Sequence, residues 1–254
     1  DWISMGGLPG TDDTVNAMVL DGSGNLYIGG EFGIAGNVLA SHVAKWSGSA
    51  WSVCGSGLNG WVRTLAVSGG DLYAGGDFTI AGGGSANRIA KWDGSAWSPL
   101  GSGMGNRVMA LAVNGGDLYA GGDFTTAGGA GANRIAKWNG SAWSPLGSGM
   151  GNRVSALAVS GGDLYAGGDF TTAGGVSANR IAKWNGTVWS ALGSGLDGAV
   201  HALAVSGSDL YAGGEFSFAG GVSASKIAKW SSSVWAALGS GIGDGGPFSF
   251  DTVK

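Results

Sequence analysis

The chain has one cysteine in 254 residues, Cys54, so it can close no disulfide within itself. Charge is also scarce. Only 12% of residues are Asp, Glu, Lys or Arg, and the formal net charge is −4. A nucleic-acid binder needs a basic patch to meet phosphates, and no cluster of Lys and Arg supplies one. Apolar runs are short. Val234 to Leu238 is among the longest, far from the ~20 residues that span a bilayer as a helix. Histidine occurs only at His42 and His201. There is no phosphate loop, no metal-ligand cluster and no flavin or nicotinamide motif, and no stretch carries a helical period. The reading is therefore of a chain with no cofactor, no metal, no nucleic-acid partner and no membrane span. No leader peptide opens it. Asp1-Trp2-Ile3-Ser4-Met5 reads as a fragment of a repeat, as a processed or trimmed N-terminus would leave.

What the chain has in excess is glycine, 55 residues, and a strict period. Trp46, Trp92, Trp138, Trp184 and Trp230 are each 46 apart, and so are Trp51, Trp97, Trp143, Trp189 and Trp235. The glycines follow the same period: Gly69-Gly70, Gly75-Gly76 and Gly82-Gly83 return as Gly115-Gly116, Gly121-Gly122 and Gly128-Gly129. Unpatterned glycine would suggest disorder. Glycine locked between apolar runs marks turns and bulges instead. A unit of this length copied five times without insertion, all of it strand-like, points to propeller blades. Cys54 falls where the other units have Leu100, Leu146, Leu192 and Leu238, which reads it as a buried apolar residue.

Residues 108–149 show one unit. Val108 to Val113 is an apolar run that suits an inner strand buried on both faces. Asp117 to Phe124 is a second strand carrying a glycine pair, and a loop from Thr125 to Ala132 follows. Asn133 to Trp138 is the third strand. Asn139-Gly140 then turns the chain into the fourth, Trp143 to Gly147. Pro99 and Pro145 lie in fourth strands, which fits an outer edge where no N–H is owed to a ladder. Such a sheet cannot cover both faces alone, but five arranged radially can. The fold expected is all-β: one five-bladed β-propeller of four-stranded antiparallel blades with a 46-residue repeat. Its units run roughly 14–59, 60–105, 106–151, 152–197 and 198–243. Two tryptophans flank each hairpin and are expected to be core between blades.

The pattern of an apolar strand ending in Gly-Gly (Leu118 to Gly122), an aromatic, a tight turn and a tryptophan (Trp138 to Trp143) resembles kelch-type propeller repeats. It departs from them in a shorter hairpin and in Trp where kelch repeats usually have Tyr. The run Arg134-Ile135-Ala136-Lys137-Trp138-Asn139-Gly140 with Trp143 and Leu146-Gly147-Ser148-Gly149 is similar to propeller repeats of fungal cortical marker proteins and of exported bacterial proteins. The resemblance covers residues 14–241. It implies a binding module and carries over no catalytic residue.

The ends do not count evenly. Fourth-strand copies number six, beginning with Trp2, against five full sets of the other strands. Thr11-Asp12-Asp13 reads as a small insertion, residues 1–10 as an extra strand, and 244–254 as a tail or a further strand around Phe248 to Val253. The ends could close the ring, continue a longer array, or pair with a neighbouring molecule, since unpaired strands favour exchange.

Candidate chemistry lies in what recurs and in what varies. Each unit has an acid after the glycine pair and a base eleven residues on: Glu31/His42, Asp77/Arg88, Asp123/Arg134, Asp169/Arg180 and Glu215/Lys226. Structural ion pairs are expected, in preference to a cation site. Asp21-Gly22-Ser23-Gly24-Asn25 faintly echoes a calcium loop but lacks the following glutamate, and reads as a longer turn. Asp197, His201 and Ser206 could be imagined as a catalytic set, but Ser206 sits at an ordinary strand end. The sequons at Asn139 and Asn185 fall on hairpin tips. Near-identical blades leave function to the exceptions. The loops into the inner strands carry Trp61, Arg63, Arg107, Arg153 and His201, the candidate face for a ligand or partner. Those loops and the loops after the second strands should emerge on one side.

The function expected is a non-enzymatic extracellular or cell-surface structural or protein-interaction propeller, self-assembling through terminal strands. Its partner would be a protein or a second copy. The alternative is a multivalent carbohydrate-binding lectin, which needs an exposed aromatic in every blade.

Overall fold

The computed structural model describes residues 10–243. Among them the chain forms five four-stranded antiparallel sheets and five two-stranded ribbons, with no helix. This is an all-β, five-bladed β-propeller. By contact density its residues group into two compact units. One holds residues 10–120 with Phe124–Gly131 and Trp138–Ser144. The other holds Gly121–Asp123, Ala132–Lys137 and residues 145–243.

The second blade shows the plan. Its inner strand, Val62–Ser68, turns back through Gly69 and Gly70, both with positive φ, into Asp71–Gly76. A ribbon of Ile80–Ala81 against Gly84–Ser85 follows, then Ile89–Trp92 and the outer strand Trp97–Pro99. Sequence reasoning takes the ribbon for a plain loop, because each arm is only two residues long. The outer strand lies at the sheet edge, and Pro99 is its last residue, opposite Ala90. Trp92 and Trp97 are direct cross-strand partners, with ring centroids 5.5 Å apart, within the range of favourable tilted aromatic pairs.

The inner strand contains a bulge. Val62 pairs with Gly76 and Thr64 with Gly75, leaving Arg63 as the extra residue. The same shift recurs at Val154/Ala156 and Val200/Ala202. An extra residue re-aims its side chain out of the ladder, and this sets the site described below.

Phe32, Phe78, Phe124, Phe170 and Phe216 are fully buried, one per blade, immediately after the acid. Blades pack through the glycine pair. A Cβ on Gly75 would stand 2.6 Å from Val108 Cγ1 of the next blade, and one on Gly76 would strike the Trp61 carbonyl. Only glycine admits both neighbours. Four of the five outer-strand indoles tie their blade to the one before. Trp97, Trp143, Trp189 and Trp235 donate to the carbonyls of Cys54, Leu100, Leu146 and Leu192 at 2.8–3.0 Å.

Two readings of the first blade change. Thr11-Asp12-Asp13 is not an insertion. Thr11 bridges Ala35 as Leu58 bridges Ala81. Asp12 Oδ1 accepts from Gly33 and Ile34 as Asn59 Oδ1 accepts from Thr79 and Ile80. The two extra residues therefore fall before Thr11. The inner strand Val15–Leu20 is also not buried on both faces: Val15, Met18 and Leu20 are exposed. The expected extra strands at 1–10 and 244–254 lie almost wholly outside the described residues.

Candidate partner-binding site at the starts of the inner strands

The loop entering each inner strand meets the ribbon that follows the second strand, so the two loop sets do share one side. Backbone bridges such as Leu58 to Ala81 and Met104 to Ala127 join them. Asn59, and likewise Asp197 with the N–H groups of Ser217 and Phe218 at 2.9 and 2.8 Å, pin the ribbon by its backbone.

On this side the first compact unit carries a charged cluster. The Arg63 guanidinium places Nη2 2.6 Å and Nε 2.8 Å from Asp77 Oδ2. Arg107 of the next blade reaches Asp77 Oδ1 at 3.8 Å. The Arg63 guanidinium also lies over Trp61, 5.4 Å from the ring centroid, a cation–π contact. Trp61 keeps 42% of its surface exposed.

The second unit repeats the theme with other residues. Arg153 Nε lies 2.8 Å from Asp123 Oδ1, and its Nη1 lies 3.9 Å from Asp169. The bond to Asp123 raises the guanidinium's pKa further, so this cation is permanent. His201 Nε2 is 3.1 Å from Glu215 Oε1, close enough for a charge pair on protonation but not aligned as a hydrogen bond.

In the second and fourth blades the acid's carboxylate is taken by arginines other than the one eleven residues on. Asp77 pairs with Arg63 and Arg107 rather than Arg88, and Asp123 takes Arg153. Arg134 donates to the Met150 carbonyl at 3.2 Å, and Arg180 to the backbone carbonyl of Asp169 at 2.7 Å. The reason is local backbone. Arg88, Arg134 and Arg180 all have φ between 62° and 65°, a left-handed corner. The bulge meanwhile turns residue 63 or 201 toward the acid.

The imagined catalytic set does not assemble. Asp197 is spent on ribbon amides, His201 faces Glu215, and Ser206 pairs with Asp209 at the far end of its strand. In the turn Asp21–Asn25, the Asp21 carboxylate accepts from Ser23 and Asn25 within the turn itself. The Asn25 side chain, more than any other contact, holds the Asp21 pKa below its usual value.

The model of the Rax2 C-terminal beta propeller domain family matches residues 4–159, more than half of the chain. The chain belongs to this family. No functionally curated protein matches it. Among solved structures, the WD40 repeats of RRP9 align at TM-score 0.60 with 15% identity, over 88% of this chain and 62% of that one. The computationally designed Ika8 protein aligns at 0.56 with 18% identity, over 89% and 61%. The extracellular domain of BT4673 from B. thetaiotaomicron aligns at 0.57 with 12% identity, over 88% and 27%. At these identities the likeness is one of fold. The chain spans about three fifths of the length of the first two.

This member of the Rax2 family also carries ion pairs that the sequence reading missed. Lys91, Lys183 and Lys229 donate to Asp71, Asp163 and Asp209 at 3.0–3.1 Å. The contact raises each lysine pKa. The signal was present as an Asp and a Lys twenty residues apart in four of the units. It was hidden because second and third strands must be paired before these residues become neighbours.

Proposed function

We propose that this propeller is a non-enzymatic extracellular structural or protein-interaction module that binds a protein partner through the loops around Trp61, Arg63 and Arg107 of the first unit, with Arg153 and His201 of the second unit as a separate candidate contact, and that it self-assembles through its terminal strands. The observation that carries the reading is Trp61, a half-exposed indole beneath the Arg63 guanidinium, whose partner Asp77 is also approached by Arg107. Aromatic and arginine side chains that are already ordered lose little entropy on binding and anchor protein interfaces. A surface location draws support from membership of a family whose repeats resemble cortical marker proteins and from a structural neighbour that is itself an extracellular domain.

The lectin alternative is less well supported. The repeated tryptophans are buried or half-buried, and four indole N–H groups are already committed to backbone carbonyls. The test is affinity capture from extracellular fractions with the wild-type chain and with a Trp61→Ala/Arg107→Ala double variant. A protein held by the wild type and lost by the variant supports the site. Equal capture by both moves the contact elsewhere.

A further inference from the structure

The turn from the third strand into the outer strand is built on one side chain in the second, third and fourth blades. In the second blade Asp93 accepts from the Ser95 and Ala96 amides and from the Ser95 hydroxyl, each at 2.8 Å. Asn139 takes that place in the third. Its Oδ1 accepts from the Ser141 amide and hydroxyl, both at 3.0 Å, and from the Ala142 amide at 2.9 Å. In the fourth, Asn185 Oδ1 accepts from the Thr187 and Val188 amides at 3.0 and 2.9 Å. A short side chain that binds the amides two and three residues on holds such a turn locally. Aspartate and asparagine serve alike, because only an acceptor oxygen is used. Asparagine brings one group that the turn leaves over, its Nδ2 amide.

That group sets these two residues apart. Asn16, Asn25, Asn59, Asn87, Asn133 and Asn179 each donate through Nδ2, to Val62, Asp21, Thr79, Ser102, Ser148 and Ser194 in that order. Nδ2 of Asn139 and of Asn185 donates to nothing among the described residues; the turn engages Oδ1 alone. Both asparagines are exposed, and so are the three residues that follow each, Gly140 to Ala142 and Gly186 to Val188. A Cβ on Gly140 or Gly186 would meet nothing within 4 Å, so the tips are open on that side as well. Asn139-Gly140-Ser141 and Asn185-Gly186-Thr187 are both of the form N-x-S/T with a residue other than proline between. The equivalent positions of the first, second and fifth blades hold Ser47, Asp93 and Ser231, which have no amide to offer.

We propose that Asn139 and Asn185 are N-glycosylation sites, each taking one oligosaccharide on Nδ2. The co-reactant is an oligosaccharide joined through C1 of its first sugar to a lipid pyrophosphate. A bond forms between Nδ2 and C1, and the C1–O bond to the pyrophosphate breaks. The lipid pyrophosphate leaves with that electron pair, and Nδ2 gives up one proton. The turn survives the reaction, since its hydrogen bonds run through Oδ1. In the fourth blade the tip stands at the end of Ile181–Trp184 away from Arg180, which lies beside Asp169 and Arg153. A glycan on Asn185 therefore leaves the Arg153 contact open. This inference rests on the extracellular half of the proposed function, because the transfer reaches only chains that enter the secretory route.

The experiment is secretion of the 254-residue chain behind a supplied leader from a eukaryotic host, read by glycopeptide mass spectrometry before and after digestion with a peptide N-glycosidase. The wild type should carry one glycan on Asn139 and one on Asn185, and digestion should leave an aspartate at each. Ser141→Ala should lose the first glycan alone, and Thr187→Val the second alone. Both variants keep the asparagine and its backbone amide contacts, so circular dichroism should not change. Asp93→Asn supplies the missing amide ahead of Gly94 and Ser95 in the same turn and should gain a third glycan. A folded, secreted wild type with both asparagines bare overturns the inference and leaves the extracellular reading in place. An Asp93→Asn chain bare at that tip, with the other two filled, overturns the role given to the turn. Antibody detection in fractions of the source cells tests location separately. Chain confined to the cytosol overturns the extracellular reading, while the secreted chain still decides whether the tips accept a glycan.

Discussion

Single residues here owe their properties to neighbours far along the chain. The Cys54 thiol is buried, and that burial pushes its pKa up to about 12. A thiol in this state is almost wholly protonated at neutral pH and inert. Native protein at pH 8 should therefore resist a thiol reagent and react only once unfolded. Fast labelling of the folded chain would show that the blade junction opens. Asp93 behaves in the opposite way. Its carboxylate accepts from the Ala96 and Ser95 amides and the Ser95 hydroxyl, each at 2.8 Å. The Ala96 amide contributes most to lowering its pKa, from 3.8 to about 2. The charged form thus favours the folded turn above the ordinary aspartate range, and that preference is lost as pH falls through about 2. An NMR titration of the carboxyl should show the low midpoint. Asp93→Asn should keep the turn, since Asn139 makes the same amide contacts, and should remove this pH dependence.

Blades are held apart at the distance glycine permits. Gly75→Ala would drive a methyl to 2.6 Å from Val108 and 2.9 Å from Thr64. Overpacking of this kind costs about 1–3 kcal/mol, readable as a lower urea midpoint. Gly116→Ala is the control. It meets nothing within 4 Å and its φ is not positive. There the loss of unfolded-state entropy should leave stability unchanged or raise it by roughly 0.4–1 kcal/mol. Equal losses at both sites would sink the steric account of the glycine pair. Trp143→Phe should also destabilise, by about 1–3 kcal/mol, because the indole bond to the Leu100 carbonyl goes and leaves that acceptor unmet. The outer strand's edge position was legible in Pro99 and Pro145, since proline tolerates an edge. The ribbons were not, because two-residue arms leave no alternation to detect.

For the molecule as a whole, repetition makes function a matter of exceptions. Tryptophan emission should not change on titration with simple sugars, given where the repeated indoles sit. Saturable quenching would revive the lectin reading. The side on which the variable loops gather was deducible from a four-stranded meander. Their pairing was not. The sequence places an acid and a base eleven residues apart in each unit, yet Arg180 turns to a backbone carbonyl while Asp77 and Asp123 take arginines from bulges and from the next blade.

The period of 46, the turn glycines and the aromatic positions determined the five blades, because strand length, turn chirality and the alternation of faces are local properties that a sequence states directly. Which charges meet and which tryptophans find acceptors were decided by the tertiary structure alone. Those depend on a one-residue bulge, on a left-handed corner at the base of the third strand, and on which carbonyl of the preceding blade faces each indole. None of these changes the repeat that the sequence displays.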